Sequence, residues 1–262
     1  MSRATSRVEI SRISGNRVDV VRDTVVKEIP LAIFMNDIHL VTVLCSPSNL
    51  DHLAVGLLFT EGLLTGKSDL KTVRASEKDR AVWVETRKGK KLPHAAALKG
   101  IITTGCGRGF SLIGAAVDAN QLKVKSKLVV SSGAVPRLMK EFQRMSRIYR
   151  LTGGVHSAAL CTAEGIVAFD EYIGRHNAID KVIGECLMKG IRTRDRMLIT
   201  SGRISSEVLV KAARSGAPIV ISKSAPTEAS IGLAAELGMT IVGFARGTRM
   251  NVYSNVWRIL TP

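Results

Sequence analysis

From residue 166 onward, and most plainly between residues 196 and 245, the chain alternates between short apolar runs and helical stretches. "RMLIT" (196–200), "PIVIS" (218–222) and "TIVGFA" (240–245) are rich in large aliphatic residues without polar alternation, the pattern of strands covered on both faces. Between them, "SSEVLVKAARSG" (205–216) and "PTEASIGLAAELG" (226–238) have helical spacing, and Thr227 caps the second while Gly238 ends it. Upstream, "NAIDKVIGECL" reads as a further helix with Asn177 at its N-cap and Ile179, Val182, Ile183, Cys186 and Leu187 as its core stripe. Strands joined through helices return to one sheet as parallel neighbours with right-handed crossovers. The second half of the chain is therefore expected to be α/β, with its outgoing loops leaving from one edge.

The first part follows another pattern. "VEISRI" (8–13), "AIFM" (32–35), "HLVTVLC" (39–45) and "AVWVET" (81–86) read as strands, and residues 49–63 as a helix with Leu53, Leu57 and Leu64 at helical spacing. This predicts α+β organisation overall: an α+β domain over residues 1–130 and an α/β domain over 131–262. The "RKGKK" run at 87–91 reads as a solvated hairpin turn. "VPRLMKEFQRMSRIYRLTGG" predicts one helix, begun near Pro136 and ended by Gly153–Gly154, with Leu138, Met139, Phe142, Met145 and Ile148 as its stripe. Its other face, Arg137, Lys140, Arg144, Arg147 and Arg150, reads as solvated.

On a sheet of this kind ligands bind outside the carboxyl ends of the strands. Three loops are expected there, each small, hydroxyl-rich and basic: Ser201, Gly202 and Arg203; Lys223 and Ser224; and "FARGTR", comprising Phe244, Ala245, Arg246, Gly247, Thr248 and Arg249. Helix N-termini with nearby cations hold phosphate, so three such loops in register point to an anionic, nucleotide-like ligand, although Ser, Gly and Pro belong to ordinary turns as well. His156, Arg175 and His176 stand beside glycines and polar groups, where they could bind phosphate or move a proton. Taken singly, His156 could equally bond locally and Arg175 pair with a carboxylate.

The formal net charge of +16 favours anionic partners, but 4% aromatics and no helix-turn-helix, zinc-finger or RNP-like signature argue against nucleic acid. No stretch suggests a signal peptide or a membrane span, and four cysteines without short spacing suggest a reducing, cytoplasmic setting. Cys45, Cys161 and Cys186 sit in core-like contexts. Cys106, in "TTGCGRGFS" (103–111), lies between glycines and two residues before Arg108, which suits a reactive thiolate. No metal-ligand pattern is present: the HxE and PCxxC of zinc deaminases are both missing, which rules out that chemistry.

"EIPLAIFMND" (28–37), "HLAVGLLFTEGLL" (52–64), "TTGCGRG" (103–109), "TGGVHSA" (152–158), "GRHNAIDKVIG" (174–184), "TSGRISSE" (200–207), "KSAPTEAS" (223–230) and "VGFARGTRMNVYS" (242–254) together resemble the formate dehydrogenase accessory proteins of the FdhD family. The resemblance implies a cytidine-deaminase-like, three-layer α/β fold in the carboxy-terminal part and a homodimer. It implies a sulfurtransferase that takes sulfur as a persulfide on Cys106 from a cysteine desulfurase. The sulfur would pass to the molybdenum bis(molybdopterin guanine dinucleotide) cofactor of formate dehydrogenase, which the basic edge would hold and GDP or GMP would mimic. Two departures stand out. The family commonly has CxxC where this chain has Gly109 at the second position, so no nearby thiol can expel the sulfur by closing a disulfide. Tyr172 replaces the aspartate usual beside Glu171. The first departure leaves a second reading open, a cofactor-binding chaperone that transfers no sulfur.

Overall fold

The computed structural model describes residues 4–87, 101–102 and 119–261. Strands β1 (Thr5–Ser14) and β2 (Arg17–Val26) form an antiparallel ribbon turned at Gly15. A five-stranded sheet follows, in the order β5-β6-β3-β4-β7: β3 (Ile29–Met35), β4 (Ile38–Cys45), β5 (Leu70–Ser76), β6 (Ala81–Thr86) and β7 (Ile101–Ile102). Asn36 and Asp37, at φ 48° and 65°, make the two-residue turn between β3 and β4, the left-handed pair that matches strand twist. Helix α1 (Leu50–Thr60) lies between β4 and β5 in sequence, and Leu53, Ala54, Val55 and Leu58 on it are fully buried.

The second half contains α2 (Ala119–Leu122), β8 (Val130–Ser131), α3 (Ala134–Met145), α4 (Arg147–Thr152), β9 (His156–Cys161), β10 (Ile166–Tyr172), α5 (Arg175–Lys189), β11 (Met197–Thr200), α6 (Ser206–Ser215), β12 (Ile219–Ser222), α7 (Glu228–Leu237), β13 (Thr240–Arg246), β14 (Arg249–Val252) and β15 (Ile259–Leu260). Six strands form one sheet in the order β10-β9-β11-β12-β13-β14. As the strand–helix alternation requires, β11, β12 and β13 are parallel. The sheet as a whole is mixed, because β9, β10 and β14 pair antiparallel. Alternate side chains divide between two layers: Leu160, Leu198, Val220 and Ile241 join the core formed with α1, α5, α6 and α7, while Ala159, Ile199, Ile221 and Val242 pack with Leu138, Met139 and Phe142 of α3. Helices thus cover both faces, giving a three-layer α/β arrangement within a mixed α/β protein.

Two local expectations change. The single helix expected through residue 152 breaks at Ser146, whose hydroxyl bonds the Phe142 carbonyl and meets Ser157 Oγ of β9 at 2.9 Å, so the chain turns there to seat α4. Helix α5 begins two residues before Asn177, with Gly174 as its N-cap. Thr227 does cap α7, in a reciprocal pair with Ser230, and Gly238 ends it at φ 68°.

One buried core runs from the first sheet through α1 and α5 to the six-stranded sheet. Helices α1 and α5 cross at glycines: a Cβ on Gly56 would lie 1.7 Å from the Asp180 carbonyl oxygen, and one on Gly184 1.9 Å from that of His52. Close approach also brings buried charges together. Lys211 Nζ lies 2.8 Å from both Asp180 oxygens, and Thr60 donates to Asp180 at 2.6 Å. Lys181 Nζ donates to Asp170 at 3.1 Å and to Ser48 at 3.0 Å, while Asn49 donates to Asp170 at 2.9 Å. Tyr172, at the departure noted above, is fully buried and donates its hydroxyl to the Leu44 carbonyl of β4, so it acts as a core strut.

Candidate functional site

Parallel β11, β12 and β13 end together, and hydrogen bonds to backbone carbonyls lock their loops to one another. Ser222 Oγ donates to the Gly202 carbonyl at 2.6 Å, Phe244 N–H to the Ser224 carbonyl at 3.1 Å, and Arg246 Nε to the Lys223 carbonyl at 2.9 Å. A further bridge joins Ile204 and Pro226. The three basic loops therefore converge on one edge, as the alternating pattern predicts. Each loop reaches that edge because its strand is only four to seven residues long and begins from the same packed layer.

Beside this edge lies a cleft of about 340 Å³, lined by Tyr149, Gly153, Gly154, Val155, His156, Ile173, Ser201 and Lys223. Its far wall is α4. Glu171 of β10 accepts the Ile148 and Tyr149 N–H groups, each at 2.8 Å, which satisfies the first orphan donors of that helix and fixes Tyr149 at the cleft. The Lys223 ammonium lies 4.8 Å from the Tyr149 ring centroid.

The floor is a hydrogen-bonded relay. Ser157 N–H donates to Ser201 Oγ at 3.0 Å, so the Ser201 proton is free for His156 Nδ1 at 3.1 Å, and the ring then carries its own proton on Nε2. Burial, with the Arg175 and Lys223 charges, holds the His156 pKa below its ordinary value. A neutral imidazole with an Nε2–H donor next to an ammonium offers the cleft donors rather than acceptors. Such a lining suits phosphate or another anion.

Of the expected residues, His156, Ser201 and Lys223 line the cleft. Arg175 packs its stem over Gly202, where a Cβ would sit 2.8 Å from Arg175 Cδ. Arg203, Gly247, Thr248 and Arg249 are exposed along the same edge, and Gly247 takes φ 56° in the two-residue turn between β13 and β14. Phe244 is turned outward by a bulge, at φ 50°, with the Arg246 guanidinium 5.8 Å from its ring. Ala245 points the other way, into the α3 core.

His176 serves α6 instead. Burial, reinforced by Arg175 and Lys211, pushes its pKa down to about 3, so its 3.2 Å contact with Glu207 is a hydrogen bond from a neutral ring rather than an ion pair. Cys45 is pushed up to about 11, and Cys161 and Cys186 to about 12, all by burial. These thiols stay protonated, whereas Cys106 and its flanking glycines lie outside the described residues. Tyr149, Ile173 and the α4 wall were not singled out from the sequence. The pairing of Gly153–Gly154 with an upstream aromatic was the available signal.

Comparison with known proteins bears on this edge. The model of the FdhD/NarQ family matches residues 26–260. The Sulfur carrier protein FdhD of Listeria innocua is 41% identical, covering 97% of this chain and 98% of its own length. That of Bacillus subtilis is 37% identical, with 98% of each chain covered. A crystal structure from Desulfotalea psychrophila, provisionally described as a formate dehydrogenase accessory protein, superposes with a TM-score of 0.81 over 98% of this chain at 23% identity, a likeness of fold. Among the described residues, no helix is long and apolar enough to cross a membrane.

Proposed function

Because this chain belongs to the FdhD/NarQ family, we propose that it is an accessory sulfurtransferase for formate dehydrogenase. It takes sulfur from a cysteine desulfurase as a persulfide on Cys106 and passes it to a molybdenum bis(molybdopterin guanine dinucleotide) cargo. The observation that carries this reading is the convergence of Lys223 and Arg246 at one sheet edge, beside a cleft whose floor presents a neutral histidine as donor. Pyrophosphate groups at either end of such a cargo match these donors, and the Tyr149 face suits a planar ring.

The chemistry is an exchange at sulfur. The Cys106 thiolate attacks the outer sulfur of the desulfurase persulfide, the old S–S bond breaks, and the desulfurase leaves as thiolate. In delivery, the reduced metal of the cargo supplies the electron pair that turns the outer sulfur into sulfide, and Cys106 returns to thiolate. With Gly109 in place of the second cysteine no partner thiol stands near in sequence for this step, so release relies on the acceptor or on an added reductant.

Incubation with a cysteine desulfurase and cysteine, followed by intact mass, should show a gain of one sulfur that Cys106→Ala lacks. GDP should raise the melting temperature, and Arg246→Ala should weaken that effect while leaving loading intact. A protein that binds GDP yet never gains sulfur would be a cofactor chaperone instead, the reading that Gly109 favours.

A further inference from the structure

The cleft explains the cations at the strand ends but not those on its far wall. Helices α3 and α4 carry five cations, Arg137, Lys140, Arg144, Arg147 and Arg150, against one acid, Glu141, which is half-buried. Two of the five are structural: Arg137 donates to the Ala163 and Glu164 carbonyls, and Arg150 to those of Gln143 and Arg144, closing the end of α3. The side chains of Lys140, Arg144 and Arg147 are exposed and make no hydrogen bond or ion pair with any described residue. Lys140 and Arg144, four residues apart, share the face of α3 opposite Leu138, Met139 and Phe142. Met145 and Leu151 stand exposed nearby, Leu151 at 62%.

Three unpaired cations beside exposed aliphatic side chains form the mixed surface of a protein interface, where charge steers and apolar groups anchor. Single-stranded nucleic acid would instead need aromatic platforms, and the aromatic here, Tyr149, faces the cleft. Position selects among protein partners. Tyr149 of α4 lines the cleft, and α3 ends one residue before α4 begins, so Arg147 and Leu151 lie on the helix that walls the cleft and Lys140 and Arg144 on the helix that leads into it.

Resting on the functional reading above, we propose that Lys140, Arg144 and Arg147, with Met145 and Leu151, form the docking surface for an acidic, aliphatic-studded face of the recipient apoenzyme. The surface steers that enzyme to the cleft mouth and takes no part in holding the cargo.

The test measures association with cofactor-free formate dehydrogenase by stopped flow at low and high salt, for the wild type, for the triple variant Lys140→Glu/Arg144→Glu/Arg147→Glu, and for Lys140→Arg/Arg144→Lys/Arg147→Lys. The charge-reversed variant should associate about ten- to a hundred-fold more slowly at low salt and lose most of its salt dependence. The conservative variant should match the wild type. GDP binding and sulfur loading should be unchanged in both. Equal association rates for wild type and reversed variant would overturn the docking surface and leave the functional reading intact. Loss of GDP binding in the reversed variant would overturn it too, by assigning these cations to the cargo. So would duplex DNA or RNA that binds the wild type more tightly than the apoenzyme does and is lost on reversal. If the wild type itself fails to bind the apoenzyme, the functional reading falls and this inference with it.

Discussion

The α1–α5–α6 junction and the carboxyl edge of the six-stranded sheet both concentrate positive charge, yet they treat it in opposite ways. At the junction, Lys211 and Lys181 are buried against Asp180 and Asp170, and although burial opposes the charge on Lys211, the Asp180 and Glu61 carboxylates raise its pKa. At the edge, among the described residues, Lys223 meets an aromatic face and the Arg246 bond runs to a carbonyl, so neither charge is paired with a carboxylate. A cation neutralised inside serves the fold. One left unneutralised at a rim keeps its field for a ligand.

The contrast should show most strongly in stability. Asp180→Ala leaves Lys211 buried without its main partner, and a loss of about 3–5 kcal/mol is expected in denaturant titration. A variant that unfolds normally would remove the distinction. Lys223→Ala should do the reverse, with unfolding within about 0.5 kcal/mol of wild type and GDP affinity reduced by about 1.5–3 kcal/mol in calorimetry. Acid should act through His176. Its folded pKa of about 3 lies below the ordinary 6.5, so the unfolded chain binds the extra proton, and stability is complete above pH 6.5 and falls as pH drops toward 3. Between pH 7 and 5 this group alone should cost about 2 kcal/mol, and His176→Gln should flatten that slope in thermal melts. The smallest effect belongs to Tyr149→Leu: a loss of about 0.5–1 kcal/mol in GDP binding with no change in inorganic pyrophosphate binding, read by competition.

Much of the second half was legible because its signals are local. Strands β11, β12 and β13 fall within a residue or two of their apolar runs, and Thr227 and Gly238 punctuate α7 where their chemistry predicts. Strand β9, "HSAALC", escaped notice because its small residues carry little β-branched or aromatic signal, and it forms a strand by pairing with both β10 and β11. The break at Ser146 was equally hidden, since one of its hydroxyl contacts comes from β9, eleven residues on. The substituted Tyr172 read as a lost acid position, and its role as a strut to β4 depends on a carbonyl 128 residues away.

The sequence alone determined the α/β order, the convergence of three basic loops and the family resemblance, because periodicity, caps and motif order are written within a few consecutive residues. Only the tertiary structure decided which cations are neutralised, placed Tyr149 across the cleft from Ser201 and Lys223, and made His156 a neutral donor. Charge and protonation depend on burial and on neighbours within a few ångströms in space, and chain spacing does not carry that distance.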